Sequence, residues 1–385
     1  MDAREYLSSI KPTKEEVENF LTRDTVEGYH PNRGWTYDRE LGWVHTDTLH
    51  EADGVLGTRT FYQYENDGAR KLINFPERQS RLHTYGNSFT HCDQVSDGET
   101  WQEYIAAHLQ EPIRNYGVGG HGVYQAYRRM LKIHSEAKHD ASHVILNIWD
   151  DDHFRSLDSW RRLRFGRSTT CGFTLPHVRV NVQKQEVTEH DNYLQSPDDV
   201  FKLCDDDYIF NQFKDDPILK MSLATKGQTE IDPDSLDPVA VSFGIAPHLV
   251  SNDQAGAAIR DAHTQAALMA SKYIVTKAAK FCEQTGKKFM LVLSFGRGNV
   301  IEHLTGSKRF DQLFVDWAMQ QNFPMIDMLP IWKDAFANRK QSAEDFLAPY
   351  YNGHHSPAGN NFFAWAMMDK IVSWLDPTPL PYKHK

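Results

Sequence analysis

Seven consecutive residues, His143-Val-Ile-Leu-Asn-Ile-Trp149, form a near-continuous apolar run closed by the acidic Asp150-Asp-Asp152. A run this short cannot span a membrane as a helix. It has too few polar positions for a strand with one wet face, and it fits a strand covered on both faces in a parallel sheet. Its surroundings repeat the theme. Residues 82–85, 113–116, 289–294 and 324–328 read as further short strands bounded by turn residues. Helical patterns lie between them: a helix opened by the capping box Ser96-Asp-Gly-Glu99, then 123–134, the alanine-rich 253–284 closed by Gly286, 312–319, 332–337 and 359–374. Alternation of this kind predicts an α/β architecture with helices on both faces of a parallel sheet.

The pattern is interrupted twice. Residues 1–80 read as an N-terminal extension packed on the core, with one capped helix (Thr13 and Glu16 as its capping box) and aromatic, turn-rich pieces in which no chemistry is visible. Residues 154–252 read as an insertion or cap, with Val178, Val180 and Val182 marking a hairpin arm. The catalytic α/β domain would then comprise 81–153 and 253–385.

Composition narrows the function classes. With 42 Lys and Arg against 52 Asp and Glu, the net charge is −10, which argues against nucleic acid as a partner. The four cysteines, Cys92, Cys171, Cys204 and Cys282, show no metal-binding spacing. No apolar leader and no run of membrane-spanning length is visible, so the expectation is a cytoplasmic protein without a membrane partner. Oligomeric state is left open.

Four segments carry chemistry-bearing residues, three at predicted strand ends and one before the last helix. They are Gly86-Asn87-Ser88, the loop Gly117-Val-Gly-Gly120-His121-Gly122, Asp150-Asp151-Asp152-His153, and Tyr350-Tyr-Asn352-Gly-His354-His355-Ser-Pro-Ala-Gly359. A serine needs a neighbouring base to become a nucleophile and donors aimed at the oxyanion it creates. These segments could supply both. Asp150–Asp152 with His153 offer oxygen and imidazole ligands for a metal, but consecutive aspartates on a strand alternate faces, so a solvated strand end is the preferred reading and no metal or other cofactor is expected. His91, His121, His153 and Trp149 are candidates for a substrate pocket. For His121, the alternative is a loop residue, and for Trp149 it is the core.

On these residues the chain resembles the SGNH (GDSL-type) hydrolase superfamily. Gly86-Asn87-Ser88-Phe89-Thr90 is similar to its Gly-Asp-Ser-Phe-Thr block, and Asn115-Tyr-Gly-Val-Gly-Gly120-His-Gly122, followed by Gln125, to its second block. His354-His-Ser-Pro-Ala-Gly359 resembles the His-x-Ser-Pro-x-Gly loop of the branch that includes alginate O-acetyltransferase-like proteins. The resemblance implies a three-layer, flavodoxin-like α/β/α fold and a serine esterase or deacylase acting on a small acyl ester, with an O-acetyl group on a carbohydrate as one option. An O-acyltransferase and an inactive ligand-binding protein of the same fold are the alternatives. It implies Ser88 as nucleophile, His354 as base with His355 as runner-up, and the Ser88 and Gly120 N–H groups as oxyanion donors. Three positions depart from the family pattern. Asn87 replaces the usual aspartate, Asp150–Asp152 stand where an oxyanion-binding asparagine is usual, and Tyr351 and Asn352 stand where the histidine's aspartate is usual. Asn147, Asn87 or His121 could serve as a further oxyanion donor. Asn352, Asp150, Asp151, Asp152 or Asp327 could support the histidine.

Overall fold

The computed structural model describes residues 2–22, 34–136, 141–168, 172–225, 236–245 and 255–375. Cys171 and the expected start of the long helix at Asp253 lie outside the described residues.

Five strands form one parallel sheet: β1 (Leu82–Tyr85), β2 (Ile113–Asn115), β3 (His143–Trp149), β4 (Lys288–Ser294) and β5 (Met325–Asp327). Their order across the sheet is β5-β4-β3-β1-β2. The apolar run is β3, at the centre, paired with β1 on one side and β4 on the other. Val144, Ile145, Leu146 and Ile148 are fully buried, each contributing roughly 1.5–3 kcal/mol of hydrophobic stabilisation. Central position explains the lack of polar alternation, since no face of this strand meets water.

Successive residues of β1 show that helices cover both faces. The His83 ring stacks on His134 of the helix Val123–His134 (α2), with centroids 5.2 Å apart. Thr84 Oγ1 instead accepts from Gln102 of the helix Trp101–Leu109 (α1), 3.1 Å away. Neighbouring residues of a strand point to opposite faces, so α1 and α2 lie on opposite sides of the sheet. The long helix Ala255–Gln284 (α3) packs against α2, and the last helix, Pro357–Leu375 (α4), packs against α1.

The Ser96–Glu99 capping box closes a 3₁₀ turn rather than α1, whose own N-cap is Thr100 accepting from the Glu103 N–H. The extension contributes helices Ala3–Ile10 and Lys14–Leu21 and two small hairpins, Trp35–Asp38 with Gly42–His45 and Thr48–His50 with Thr60–Tyr62. Its first helix leans on the insertion rather than on the sheet: Tyr6 Oη donates to the Leu163 carbonyl, and Arg4 and Lys11 pair with Asp207 and Asp206. The insertion holds the hairpin His177–Asn181 with Glu186–His190 and several short helices. No helix among the described residues is long and apolar enough to cross a membrane.

Candidate active site

β1 ends at Tyr85, and the chain turns at Gly86 into the one-turn helix Ser88–His91. The turn needs a glycine because a Cβ at position 86 would stand 2.1 Å from Thr90 Oγ1 and 2.6 Å from the Asn147 carbonyl. Asn87, in extended backbone, caps the helix: its Oδ1 accepts from the Phe89 N–H at 2.8 Å. Ser88 is thereby set at the C-terminal edge of the sheet, where open α/β sheets bind ligands.

His354 reaches Ser88 from the other end of the chain. It lies on a two-residue strand, His354–His355, paired antiparallel with Tyr351–Asn352 around Gly353. Its Nε2 is 2.8 Å from Ser88 Oγ, although 266 positions separate the two residues in sequence. A hydroxyl bonded to imidazole in this way can pass its proton to the ring as its oxygen attacks an electrophile. Burial, aided by Arg155 and opposed by Asp93 and Asp53, lowers the His354 pKa below the ordinary histidine value. The ring is therefore neutral near pH 7 and able to accept that proton.

The other face of His354 meets a residue the sequence reading did not single out. Gln94 Oε1 accepts from the His354 backbone N–H at 2.8 Å and lies 3.0 Å from Nδ1 of the same ring. None of the carboxylates considered from sequence contacts the ring. Asn352 Nδ2 instead donates to the Asp53 carbonyl, 3.2 Å away. Asp150 accepts from the Gly296 N–H at 2.9 Å and from the Asn299 amide, and burial pushes its carboxyl up to about 6. Burial also acts on Asp151, but Arg164 and Arg155 clasp it and hold its carboxyl well below the usual range. Asp152 accepts from Asn87 Nδ2 (2.8 Å), the Trp149 N–H (3.0 Å) and Arg155 (3.1 Å), and burial raises it to about 7. Asp327 caps a helix and pairs with Arg309. The expected solvated strand end is thus a buried ion network that anchors the capping residue beside Ser88.

The glycine loop 117–122 is clamped from two sides. Gly119 donates its N–H to His45 Nε2 and accepts from Trp43 Nε1, both at 2.9 Å, and the Gly120 carbonyl accepts from Arg161 at 2.7 Å. Among the described residues no acceptor takes the N–H of Ser88 or of Gly120. Of the other donors considered, Asn147 Nδ2 is bonded to Thr90 Oγ1 at 3.0 Å and Asn87 Nδ2 to Asp152. His121 is fully buried near Trp43, and burial lowers it to about 3.

A cleft of about 630 Å³ opens over His354. Phe89, Gln94, Trp149 and His354 line it from the core, and Trp35, His45, Asp53 and Tyr62 from the extension. No lining residue comes from the insertion. Trp149 stacks on Phe89, with centroids 5.1 Å apart, and the Arg155 guanidinium lies over its ring at 4.7 Å. His355 is buried among Phe89, Tyr351 and Phe363. His153 is buried in the core away from the cleft, bonded to Ser271 Oγ at 2.8 Å and packed edge-on to Phe314. His91 sits just below the cleft, bonded to Asp93 through Nδ1 and to Tyr64 Oη through Nε2.

His45, His91 and Asp93 bring potential ligand atoms within 4.8 Å of one another. The two imidazoles, however, stack with centroids 4.1 Å apart and only 19° between their planes. Lone pairs lie in the ring plane, so nearly parallel stacked rings cannot both aim at one ion at about 2.1 Å. Each ring nitrogen is also already bonded: His45 Nδ1 to the Gly34 carbonyl, His45 Nε2 to Gly119, and both His91 nitrogens as described. The cluster is a packed, satisfied support beneath the cleft.

No protein-family profile matches the chain, and no curated protein does. Among solved structures, the chain is similar to a proposed lipolytic protein of the G-D-S-L family from Desulfitobacterium hafniense DCB-2. The identity is 10%, the alignment covers 76% of this chain and 99% of that one, and the TM-score is 0.36.

Proposed function

We propose that this protein is a serine ester hydrolase of the SGNH type that cleaves a small acyl ester through an acyl-enzyme on Ser88. The observation that carries the proposal is the 2.8 Å contact between Ser88 Oγ and His354 Nε2 at the C-terminal edge of the sheet, beside an open cleft. Numbered along the sheet's own strands, the order 2-1-3-4-5 supports a flavodoxin-like reading of the fold. Ser88 Oγ attacks the ester carbonyl as His354 Nε2 takes its proton. The tetrahedral oxyanion is held by the Ser88 and Gly120 N–H groups, which have no acceptor of their own among the described residues. The imidazolium then protonates the leaving alcohol. Water, deprotonated by the same ring, releases the acid and restores Ser88. Aromatic and acidic side chains in the cleft suit a neutral polar ester, including an O-acetylated sugar.

The test is intact-mass analysis after exposure to a fluorophosphonate, with p-nitrophenyl acetate turnover read in the same samples. One adduct on wild-type protein is expected, absent together with turnover in Ser88→Ala and strongly slowed in His354→Ala. Neither adduct nor turnover in the wild type overturns the proposal.

A further inference from the structure

We infer that Gln94 is the positioning residue of this site: its amide oxygen locks His354 in the tautomer that leaves Nε2 free for the Ser88 proton, and the extension hairpin 48–62 holds Gln94 in place. The inference rests on the proposed roles of Ser88 and His354.

The tautomer follows from a backbone group. An Asn or Gln amide can present either end to a neighbour, and its assignment comes from the bonds it makes. Here the same amide atom faces both the His354 backbone N–H (2.8 Å) and Nδ1 (3.0 Å). A backbone N–H can only donate, so the atom facing it is the oxygen. Nδ1, facing that oxygen, must then carry the ring's proton. A neutral imidazole has only one, so Nε2 holds a lone pair towards Ser88 Oγ–H.

The far end of the amide is fixed as well. Gln94 Nε2 donates to the Asp53 carbonyl at 3.3 Å, and Asn352 Nδ2 donates to the same oxygen. The Gln94 N–H donates to Tyr62 Oη at 2.5 Å, and Tyr62 in turn donates to Asp53 Oδ2 at 2.9 Å. Gln94 has a φ of +71°, a costly conformation for a residue with a side chain, which persists where the surroundings over-determine it. The approach of the amide oxygen to the hairpin also depends on Gly353, where a Cβ would stand 2.5 Å from Oε1. The histidine is therefore oriented by a neutral amide rather than by a carboxylate. Of the charged and titratable groups around it, Asp93 and Asp53 favour its charged form and Arg155 opposes it. His91 and His355 are buried, and desolvation keeps both neutral near pH 7.

The experiment measures the fluorophosphonate labelling rate of Ser88 against pH in the full chain, for wild type, Gln94→Glu and Gln94→Leu. Histidine ¹⁵N spectra and a melting curve accompany each. Gln94→Glu places a carboxylate against Nδ1, so it should label readily with its acid limb moved up by about one pH unit or more. Gln94→Leu should label about 100-fold more slowly while still melting cooperatively, and its His354 signals should show loss of the pure Nδ1–H tautomer. Wild-type labelling and an unmoved limb in both variants overturn the inference and leave the nucleophile reading standing. A wild type that never labels, yet shows the Nδ1–H tautomer and loses it in Gln94→Leu, overturns the nucleophile reading and upholds the positioning role.

Discussion

Arg70, in the extension, is expected to be as important to this fold as any residue of the sheet. Its guanidinium is 1% exposed and donates to Asp97 Oδ1 at 2.8 Å, to the His91 and Cys92 carbonyls at 2.6 and 2.7 Å, and to the Val95 carbonyl. It thus stitches together the loop that carries Asp93 and Gln94. Arg70→Met removes one partner of a buried ion pair, a loss of about 3–5 kcal/mol because the Asp97 carboxylate stays behind. The Cys92 and Val95 carbonyls have no other donor among the described residues, and each left bare adds about 1–3 kcal/mol. The expected loss is about 5–11 kcal/mol, comparable with the whole stability of an ordinary domain. Asp97→Asn keeps a neutral acceptor and all the carbonyl bonds, so its loss should be nearer 2 kcal/mol. Equilibrium urea unfolding followed by tryptophan fluorescence reads both, with Ser88 labelling as a check on the site. A loss under about 2 kcal/mol for Arg70→Met, or one smaller than that of Asp97→Asn, refutes the reasoning.

Gly353→Ala should lose about 1–3 kcal/mol of stability, since φ at this position is +79°. Its Ser88 labelling should slow roughly 10- to 100-fold as the new Cβ displaces Gln94 Oε1, and labelling at the wild-type rate would count against the contact. The rate of ester cleavage should fall as pH drops through a midpoint below 6.5, because burial lowers the His354 pKa and only the neutral ring can take the Ser88 proton. Stability should fall with acid too, which urea midpoints at pH 7.5 and pH 5 would measure. Burial lowers His121 and His355 to about 3, His153 to about 4, and His45 and His91 well below their ordinary value. Below about pH 6.5 the unfolded chain therefore takes up protons that the folded chain refuses. Asp150 and Asp152, raised by burial to about 6 and 7, and Asp97, Glu103 and Asp158, raised as well, act in the opposite sense, but with His143, His177 and His263 also lowered by burial the histidines outnumber them. A midpoint unchanged or higher at pH 5 would contradict this.

What could be read from the sequence was local. The apolar β3 announces a sheet covered on both faces. Gly86-Asn87-Ser88 and the turn around Gly353 state their geometry through residue types that few other conformations suit. The pairing of Ser88 with His354 was reachable as a resemblance between motifs. Gln94 was not, because a glutamine in a loop belongs to no motif and its positive φ leaves no trace in residue type. The signal that could have raised it was its place six positions after Ser88, in the loop leaving the one-turn helix that begins there. The expectation of a solvated strand end at Asp150–Asp152 fails for a related reason: whether an acidic run is solvated or buried depends on how the chain after it folds back, here to bring Arg155 and Arg164 onto Asp151, which strand periodicity does not show.

The sequence by itself therefore carried the α/β class of the fold and the two turns that present Ser88 and His354. Only the tertiary structure decided that the extension, where no chemistry was visible, would supply Tyr62, the Asp53 carbonyl and Arg70 to the loop carrying Gln94, and Trp43 and His45 to the glycine loop. The physical reason is that strands and turns are written in short-range sterics and in the periodicity of burial. A hydrogen-bonded support between segments tens of residues apart has no such code and exists only once the chain has closed upon itself.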